Sequence, residues 1–239
     1  HPAVFAQRLA TVDHISKGRV SLGLGVGESM NTDAYGIPWN NPFKRMTESM
    51  DIMKLLWSTK ETVSYKGDFF ELKDASLLLN LYEDKNSIPF YFATHTDKGL
   101  DLIGRLGDGW MPLDLTPKLY SIYLEKIKNS ALNAGRDIES IDPTVWIFTS
   151  LGKDEDEAYK SLEPYRYVCI MQEQLKKAGY DIDIPDEYKG INYFNITPTD
   201  EVKKQKFREL GNFFPREAVI DFTITGSKDD CIKKIEKYI

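Results

Sequence analysis

The sequence has few of the residues from which disulfide frameworks and metal centres are built. It contains 2 cysteines and 3 histidines among 239 residues. Cys169 and Cys231 lie far apart and lack the C-x-x-C spacing of zinc and redox motifs. The histidines complete no metal-binding motif either. We therefore expect neither a structural disulfide nor a bound metal.

Long apolar runs and basic clusters are also missing. No apolar segment approaches the roughly 20 residues that cross a bilayer, and we expect no signal peptide. The formal net charge is −6, and basic residues form only scattered pairs such as Lys203–Lys204, which argues against nucleic acid as a partner. We expect a cytoplasmic protein that acts on a small molecule, without a nucleic-acid or membrane partner.

The most informative stretch is Arg19–Asn31, RVSLGLGVGESMN. Branched apolar residues alternate there with serine and glycine, which predicts a β-strand, and we expect this strand to be buried on both faces. Glycine weakens a strand unless something must lie close to the backbone. The run ends in Glu28, at the end of the strand where parallel α/β folds bind ligands, so the pattern indicates a ligand site.

A purely structural interpretation of Glu28 stays open from the spacing alone. A strand can turn into a helix at such a point, with an acidic residue favoured in the first helical turn. The glycines spell GxGxG, and Glu28 stands where a GxGxxG dinucleotide motif needs its last glycine. Because a carboxylate would repel a pyrophosphate, the stretch suits a planar, hydrogen-bonding ligand better.

Strands and helices alternate along the rest of the chain, which predicts a parallel sheet or a (β/α) barrel. The first predicted helix begins at Pro2 and ends with a C-cap at Lys17–Gly18. The later helices are predicted to begin at Phe43, after Asp97, at Pro117 (running to about Ala134), at Asp154–Glu157, and after an N-cap at Ser227. The predicted strands after the first are Ile88–Ala93, Trp110–Pro112, Thr144–Leu151 and Phe222–Thr225, with a small hairpin over Val63–Leu72. The core face of the second helix is predicted to be Phe43, Met46, Met50, Met53 and Trp57.

Two further segments carry functional expectations. Thr94, His95 and Thr96 follow a strand and precede a helix, where unpaired helical N–H groups make an anion site; considered alone, a simple N-capping role for Thr94 or Thr96 is better supported. From Tyr165 to about Pro215 the alternation breaks down, which predicts an insertion. Because it follows a strand directly, we expect it to lie over the active face and to shape substrate access.

With these elements in place, the chain resembles the luciferase-like superfamily of flavin and deazaflavin oxidoreductases, specifically its coenzyme F420-dependent branch. It is similar in style to methylenetetrahydromethanopterin reductases and F420-dependent glucose-6-phosphate dehydrogenase. The residues that carry the resemblance are His1–Val4 with Ala6–Gln7, Gly18–Val20, Leu22–Glu28, Asn31, Glu48, Leu56–Trp57, Gly107–Gly109, Thr225–Ser227 and Ile235–Glu236.

The resemblance implies an α/β (β/α)8 TIM barrel of which the chain is the central and C-terminal portion. Residues 1–239 would form a single barrel domain, incomplete at both ends, with an insertion over 165–215. In family barrels three strand–helix units would precede His1 and an eighth strand would follow Ile239. The full-length protein is expected to be a homodimer.

The resemblance also implies site roles. Coenzyme F420 would be the cofactor, exchanging a hydride at C5, with FMN as the alternative. Glu28 would be the catalytic carboxylate that handles a proton beside it, and flavin monooxygenases more often carry an aromatic residue there. The remaining residues expected to bind the cofactor are Val26, Gly27 and Asn31 along the deazaflavin edge, and Ala93, Thr94, His95 and Thr96 near its phosphate.

The stretch Thr94–Thr96 departs from the usual glycine pair of the family. Two alternatives to an F420-dependent oxidoreductase therefore stay open: an FMN-dependent luciferase-like monooxygenase and a non-catalytic homologue that keeps the fold. Retention of Glu28 with its three glycines argues against the second.

Overall fold

The structure, a computed structural model, describes residues 1–192, 196–197 and 199–239. Its helices are α1 (Pro2–Ser16), α2 (Ser29–Thr32), α3 (Pro42–Trp57), α4 (Asp97–Leu106), α5 (Pro117–Asn133), α6 (Glu155–Leu162), α7 (Gln172–Ala178), α8 (Glu201–Leu210), α9 (Arg216–Phe222) and α10 (Lys228–Ile235). Its strands are β1 (Leu22–Leu24), β2 (Val63–Lys66), β3 (Glu71–Ala75), β4 (Phe90–Phe92), β5 (Gly109–Trp110), β6 (Asp142–Pro143), β7 (Thr149–Leu151) and β8 (Ile224–Gly226).

Parallel strands form the centre of the molecule. One sheet has the order β1-β4-β5-β6, and each neighbouring pair in it is parallel. A second parallel pair joins β7 to β8, while β2 and β3 form an antiparallel hairpin, as predicted. Parallel strands alternating with helices confirm the predicted α/β class. The carboxyl ends of β1, β4 and β5 consequently meet at one edge of the sheet.

Helix α3 packs its predicted apolar stripe into the core. Met50 and Met53 are each 2% exposed and Trp57 is 5% exposed, and Phe43 at the start of the stripe is half-buried. The indole Nε1 of Trp57 donates a hydrogen bond to the backbone oxygen of Ala6 at 3.2 Å. This bond fastens α3 to α1.

Two buried carboxylates hold turns against these helices. Asp13 on α1 is completely buried and accepts from the backbone N–H of Tyr82 and from Lys85, each at 2.9 Å. Glu48 on α3 accepts backbone N–H groups from the hairpin turn, among them Phe70 at 2.8 Å. Because each carboxylate is buried and accepts hydrogen bonds from a loop, it fixes the position of that loop, which apolar contacts alone do not determine.

The predicted helix ends are largely confirmed. Lys17 closes α1 in the left-handed conformation, with φ 56°. Asp154 caps α6 by accepting from the N–H of Glu157. Ser227 caps α10 within a reciprocal capping box with Asp230. These signals lie within a few residues of the turns that they set, so the sequence is sufficient to find them.

Three strand predictions need correction. The prediction that the first strand is buried on both faces is wrong: Leu22 is buried, but Gly23 and Gly25 are exposed. Open space lies in front of Gly25, and the end of the Met111 side chain is the described group that lies near Gly23. The third strand is Gly109–Trp110, since Pro112 has no N–H to extend the ladder. The last strand starts at Ile224, because Phe222 belongs to α9.

The predicted strand Thr144–Leu151 is divided. Parallel hydrogen bonds continue to Thr144 and Trp146, whose N–H groups donate to Trp110 at 2.8 Å and Pro112 at 2.9 Å. After Trp146 the chain leaves the first sheet, and β7 pairs with β8. The long apolar run thus contributes to two sheets, a change of partner that alternation along one segment cannot reveal.

The segment predicted as an insertion contains α7, α8 and several single turns. The part of that prediction that falls on residues 193–195 and 198 lies outside the described residues. Cys169 and Cys231 are both buried free thiols. Across the described chain no group of acidic, histidine and cysteine side chains could hold a metal ion, and no helix there has the length and apolarity needed to cross a bilayer.

Candidate functional site

A cleft of about 990 Å³ opens at the carboxyl ends of β1 and β4. All eight residues predicted to form the site border this cleft, although they come from two separate stretches of the sequence. They are Val26, Gly27, Glu28, Asn31, Ala93, Thr94, His95 and Thr96. The parallel pairing of β1 with β4 brings the two stretches together.

Glu28 is held at one side of the cleft by the short turn that follows β1. Gly27 has φ +77°, a conformation that favours glycine. The backbone oxygen of Glu28 accepts from the N–H groups of Asn31 and Thr32, each at 3.0 Å, and the amide of Asn31 donates to the Glu28 Oε2 at 2.7 Å. Partial burial raises the pKa of the Glu28 carboxyl. The group therefore keeps its proton to a higher pH than an exposed glutamate does.

No side chain covers the backbone at Gly25, close to Glu28, within the described structure. Among the described residues, no atom beyond the immediate chain neighbours comes within 4 Å of the point where a side chain on Gly25 would begin. Packing within this chain therefore does not require glycine at that position. The free space in front of Gly25 belongs to the cleft, so a flat ligand can approach the backbone there.

The start of α4 also borders the cleft, through Thr96 and Asp97. The Thr96 hydroxyl accepts from the N–H of Gly99 at 3.1 Å, which confirms the N-cap interpretation. The Thr94 hydroxyl accepts from the N–H of Thr96 at 3.3 Å and lies 3.2 Å from the Thr96 hydroxyl. Capping and ligand binding are compatible, because each hydroxyl retains further hydrogen-bonding capacity.

His95 is set into the cleft wall as a neutral ring. Its Nε2 accepts from the N–H of Leu113 at 3.3 Å, so the neutral ring carries its proton on Nδ1. The ring stacks on Tyr123, with 6.3 Å between centroids. Burial lowers the pKa of His95 to about 4, with a smaller lowering from the charge of Lys177. At neutral pH this histidine can donate a hydrogen bond but brings no positive charge.

Two lysines that the sequence analysis did not single out bring positive charge to the cleft. Lys126 from α5 and Lys177 from α7 both border it, and each Nζ lies 5.7 Å from the centre of the Tyr123 ring. Lys126 also pairs with Asp97 at 2.7 Å. Neither lysine belongs to a local motif, so only the tertiary structure places them beside Thr94–Thr96.

A second cavity, of about 400 Å³, adjoins the cleft and shares Glu28, Leu113 and Met171 with it. Its remaining described lining is mainly apolar: Asp114, Trp146, Phe148, Tyr167, Val168, Ile170, Gln172, Ile191, Asn192, Phe207 and Leu210. Many of these residues come from the segment 165–215. We call the larger space the cleft and the smaller one the apolar cavity.

Asp114 is the residue in this region that the sequence analysis missed. It is 6% exposed, and within the described structure its Oδ1 has no hydrogen-bond partner. Its backbone adopts φ 51°, and burial raises the pKa of its carboxyl to about 7. An acidic residue four positions beyond the end of β5 is a signal that could have pointed to it, since strand ends carry sites in such folds.

With this geometry established, comparison with known proteins places the fold. Residues 1–239 match the family of luciferase-like monooxygenases. The chain belongs to this family. As a family member it carries the luciferase-like TIM-barrel fold, of which the parallel strands and helices described above form a part.

Several relatives of this luciferase-like chain have named activities. It is 28% identical to the phthiodiolone/phenolphthiodiolone dimycocerosates ketoreductase of Mycobacterium tuberculosis, over 100% of this chain and 63% of the relative. It is 27% identical to the 5,10-methylenetetrahydromethanopterin reductase of Archaeoglobus fulgidus, over 99% and 69%. The solved structure of an F420-dependent secondary alcohol dehydrogenase with an F420-acetone adduct matches with a TM-score of 0.76 at 25% identity, over 100% and 66%. The chain thus spans less than two thirds of the mycobacterial relative's length.

Proposed function

We propose that this luciferase-like chain is part of an F420-dependent oxidoreductase that reduces or oxidises a C–O or C–N bond of a small organic substrate. The observation that carries the proposal is Glu28, a carboxyl with a raised pKa beside a bare glycine backbone. A carboxyl of this kind can give or take a proton beside a reacting substrate. Relatives named as a ketoreductase, a methylenetetrahydromethanopterin reductase and an F420-dependent alcohol dehydrogenase support the reaction class.

The residues of the cleft fit a deazaflavin cofactor. The open space in front of Gly25 admits a planar ring system, and Asn31 offers polar atoms along its edge. The volume of about 990 Å³ lies within the range of cofactor sites. When bound, the deazaflavin supplies the hydride donor or acceptor. Glu28 would donate the proton that the substrate gains when it is reduced, or accept the proton that the substrate loses when it is oxidised.

The other end of the cleft suits the anionic part of such a cofactor. Thr94 and Thr96 present hydroxyls, α4 begins beside them at Asp97, and Lys177 adds positive charge. The neutral His95 can add one N–H donor. In this proposal the cleft binds the cofactor, and the apolar cavity, which shares Glu28, binds the substrate.

The test is cofactor binding to the full-length protein, followed by quenching of deazaflavin fluorescence, with FMN titrated in parallel. We expect deazaflavin to bind at least tenfold more tightly than FMN. Lys177→Met should weaken deazaflavin binding about tenfold, because one charged contact to the anion is lost. Lys176→Met is the matched control: Lys176 is the preceding residue on α7 but borders a different cavity.

Each outcome has a distinct meaning. Preferential FMN binding would replace the proposal with a flavin monooxygenase. Failure to bind either cofactor would favour a non-catalytic homologue. Equal weakening by Lys176→Met and Lys177→Met would show a general effect of charge and would remove Lys177 from the site.

A further inference from the structure

The charge on the wall of the apolar cavity is unbalanced. Two acidic residues, Glu28 and Asp114, border it, and its described lining includes no lysine, arginine or histidine. The rest of the lining is mostly aliphatic and aromatic. A buried carboxylate without a cation disfavours an anionic ligand and favours a cationic one or a hydrogen-bond donor.

One carboxylate oxygen of Asp114 has no hydrogen-bond partner among the described residues, where buried carboxyls normally have one. Its side chain is 6% exposed, and its Oδ1 accepts no hydrogen bond within the described residues. The thiol of neighbouring Cys169 does not fill this role, because its Sγ donates to the backbone oxygen of Tyr165 at 3.5 Å. Leaving such a group unsatisfied costs free energy, so a ligand that donates to it recovers that cost on binding.

The backbone on both sides of Asp114 is anchored. The N–H of Leu113 donates to His95 at 3.3 Å, and the hydroxyl of Tyr238 donates to the oxygen of Leu115 at 2.7 Å. Asp114 itself has φ 51°, a conformation that aspartate tolerates better than most residues. The carboxyl is therefore presented from a fixed segment of the cavity wall.

Aromatic side chains surround the remaining space. Trp146 and Phe148 form an edge-to-face pair with ring centroids 4.8 Å apart, and Tyr167 and Phe207 form another at 5.2 Å. All four border the apolar cavity. Faces of aromatic rings attract cations and pack well against alkyl groups.

We propose that the apolar cavity binds an apolar amine, with the ammonium nitrogen donating to the Asp114 carboxylate and the alkyl part against the aromatic walls. The nitrogen is a recognition group here and takes no part in hydride transfer. As a statement about the substrate class, this inference rests on the oxidoreductase function proposed above. As a statement about binding, it can be tested without the cofactor.

The test compares three probes of equal length on the full-length protein: hexylamine, 1-hexanol and hexanoate. Isothermal titration at pH 8 keeps the amine protonated and Asp114 largely ionised. We expect hexylamine to bind most tightly and hexanoate most weakly. Asp114→Asn should weaken hexylamine binding at least tenfold and change hexanol binding less than twofold, because a charge-assisted hydrogen bond is lost while the volume is kept.

Asp229→Asn is the matched control, since Asp229 is an exposed carboxylate in the first turn of α10 and borders neither cavity. It should leave all three affinities unchanged. If wild-type protein binds hexanol as tightly as hexylamine, or if Asp114→Asn weakens both equally, the inference is refuted. The wild-type ranking decides this even if Asp114→Asn does not fold.

Failure of this inference and failure of the proposed function give different results. Selective amine binding without deazaflavin binding would keep the amine site and overturn the oxidoreductase proposal. Deazaflavin binding without selectivity for hexylamine would do the reverse.

Discussion

Replacing Glu28 with glutamine separates chemistry from structure at the cleft. Glutamine has the same size and keeps a carbonyl oxygen that can accept from the Asn31 amide, now 2.7 Å from the Glu28 Oε2. The turn after β1 should therefore survive. What the substitution removes is the exchangeable carboxyl proton.

The expected effect on turnover is large. A positioned general acid or base contributes about 10²–10⁴-fold in rate, which corresponds to about 2.7–5.4 kcal/mol in the barrier. A Glu28 that only favours the start of α2 would contribute about 0.3–1 kcal/mol of stability and nothing to turnover. The two interpretations thus differ by at least two orders of magnitude in rate.

The assay is single-turnover hydride transfer in the full-length protein, with deazaflavin affinity measured separately. Burial raises the pKa of Glu28, so the protonated form persists to higher pH, and a proton-donating Glu28 loses activity as pH rises through that raised pKa. This pH dependence should disappear in Glu28→Gln. In the opposite direction of reaction, where Glu28 accepts the proton, the rate should rise over the same range.

Glu61→Gln is the matched control, because Glu61 is exposed and borders neither the cleft nor the apolar cavity. Wild-type turnover in Glu28→Gln, with an unchanged pH profile and a slightly lower melting temperature, would refute the catalytic role. It would leave Glu28 as a residue that only stabilises the turn.

Three further predictions concern stability. Gly104→Ala should lower the free energy of unfolding, measured by urea titration, by about 1–3 kcal/mol, because the added methyl group collides with Ser130 on α5. An unchanged urea midpoint would show that α4 and α5 can move apart without cost. Asp13→Ala should cost about 1.5–3 kcal/mol, since it removes the partner of the partly exposed Lys85, and a loss no larger than that of an exposed Asp→Ala variant would contradict this. His95, whose pKa falls from 6.5 to about 4 on burial, resists protonation in the folded protein. Stability should therefore fall by up to about 3 kcal/mol between pH 6.5 and pH 4, and His95→Gln should flatten that part of the stability curve; an equally steep curve in the variant would assign the acid sensitivity to other groups.

Local signals account for what the sequence predicted well. The sequence predicts Ser227, and either Thr94 or Thr96, as caps, and the structure shows Ser227 and Thr96 accepting helical N–H groups. The stripe through Met50 and Trp57 was expected in the core and lies there. Each of these features depends on spacing within one turn or one helix, so neighbouring residues are enough to specify it.

The rest depends on contacts between distant segments. Whether the glycine face of β1 is covered depends on segments far away in the sequence. The prediction that this strand is buried on both faces failed for that reason. The second sheet partner after Trp146 is set by β8, about 80 residues later. Asp114 and Lys177 carry no motif, and their positions beside Glu28 and Thr96 exist only in the folded chain.

The wall between the cleft and the apolar cavity has a thermodynamic consequence. Leu113 and Met171 face both spaces, so a ligand on one side that fixes these side chains alters the free energy of binding on the other. Such coupling is reciprocal: whatever factor the first ligand applies to the affinity of the second, the second applies to the first. The preferred order of binding then depends on how strongly each ligand restricts the motion of Leu113 and Met171. Substituting Met171 should change the cooperativity between the two ligands more than it changes the affinity for either ligand measured alone.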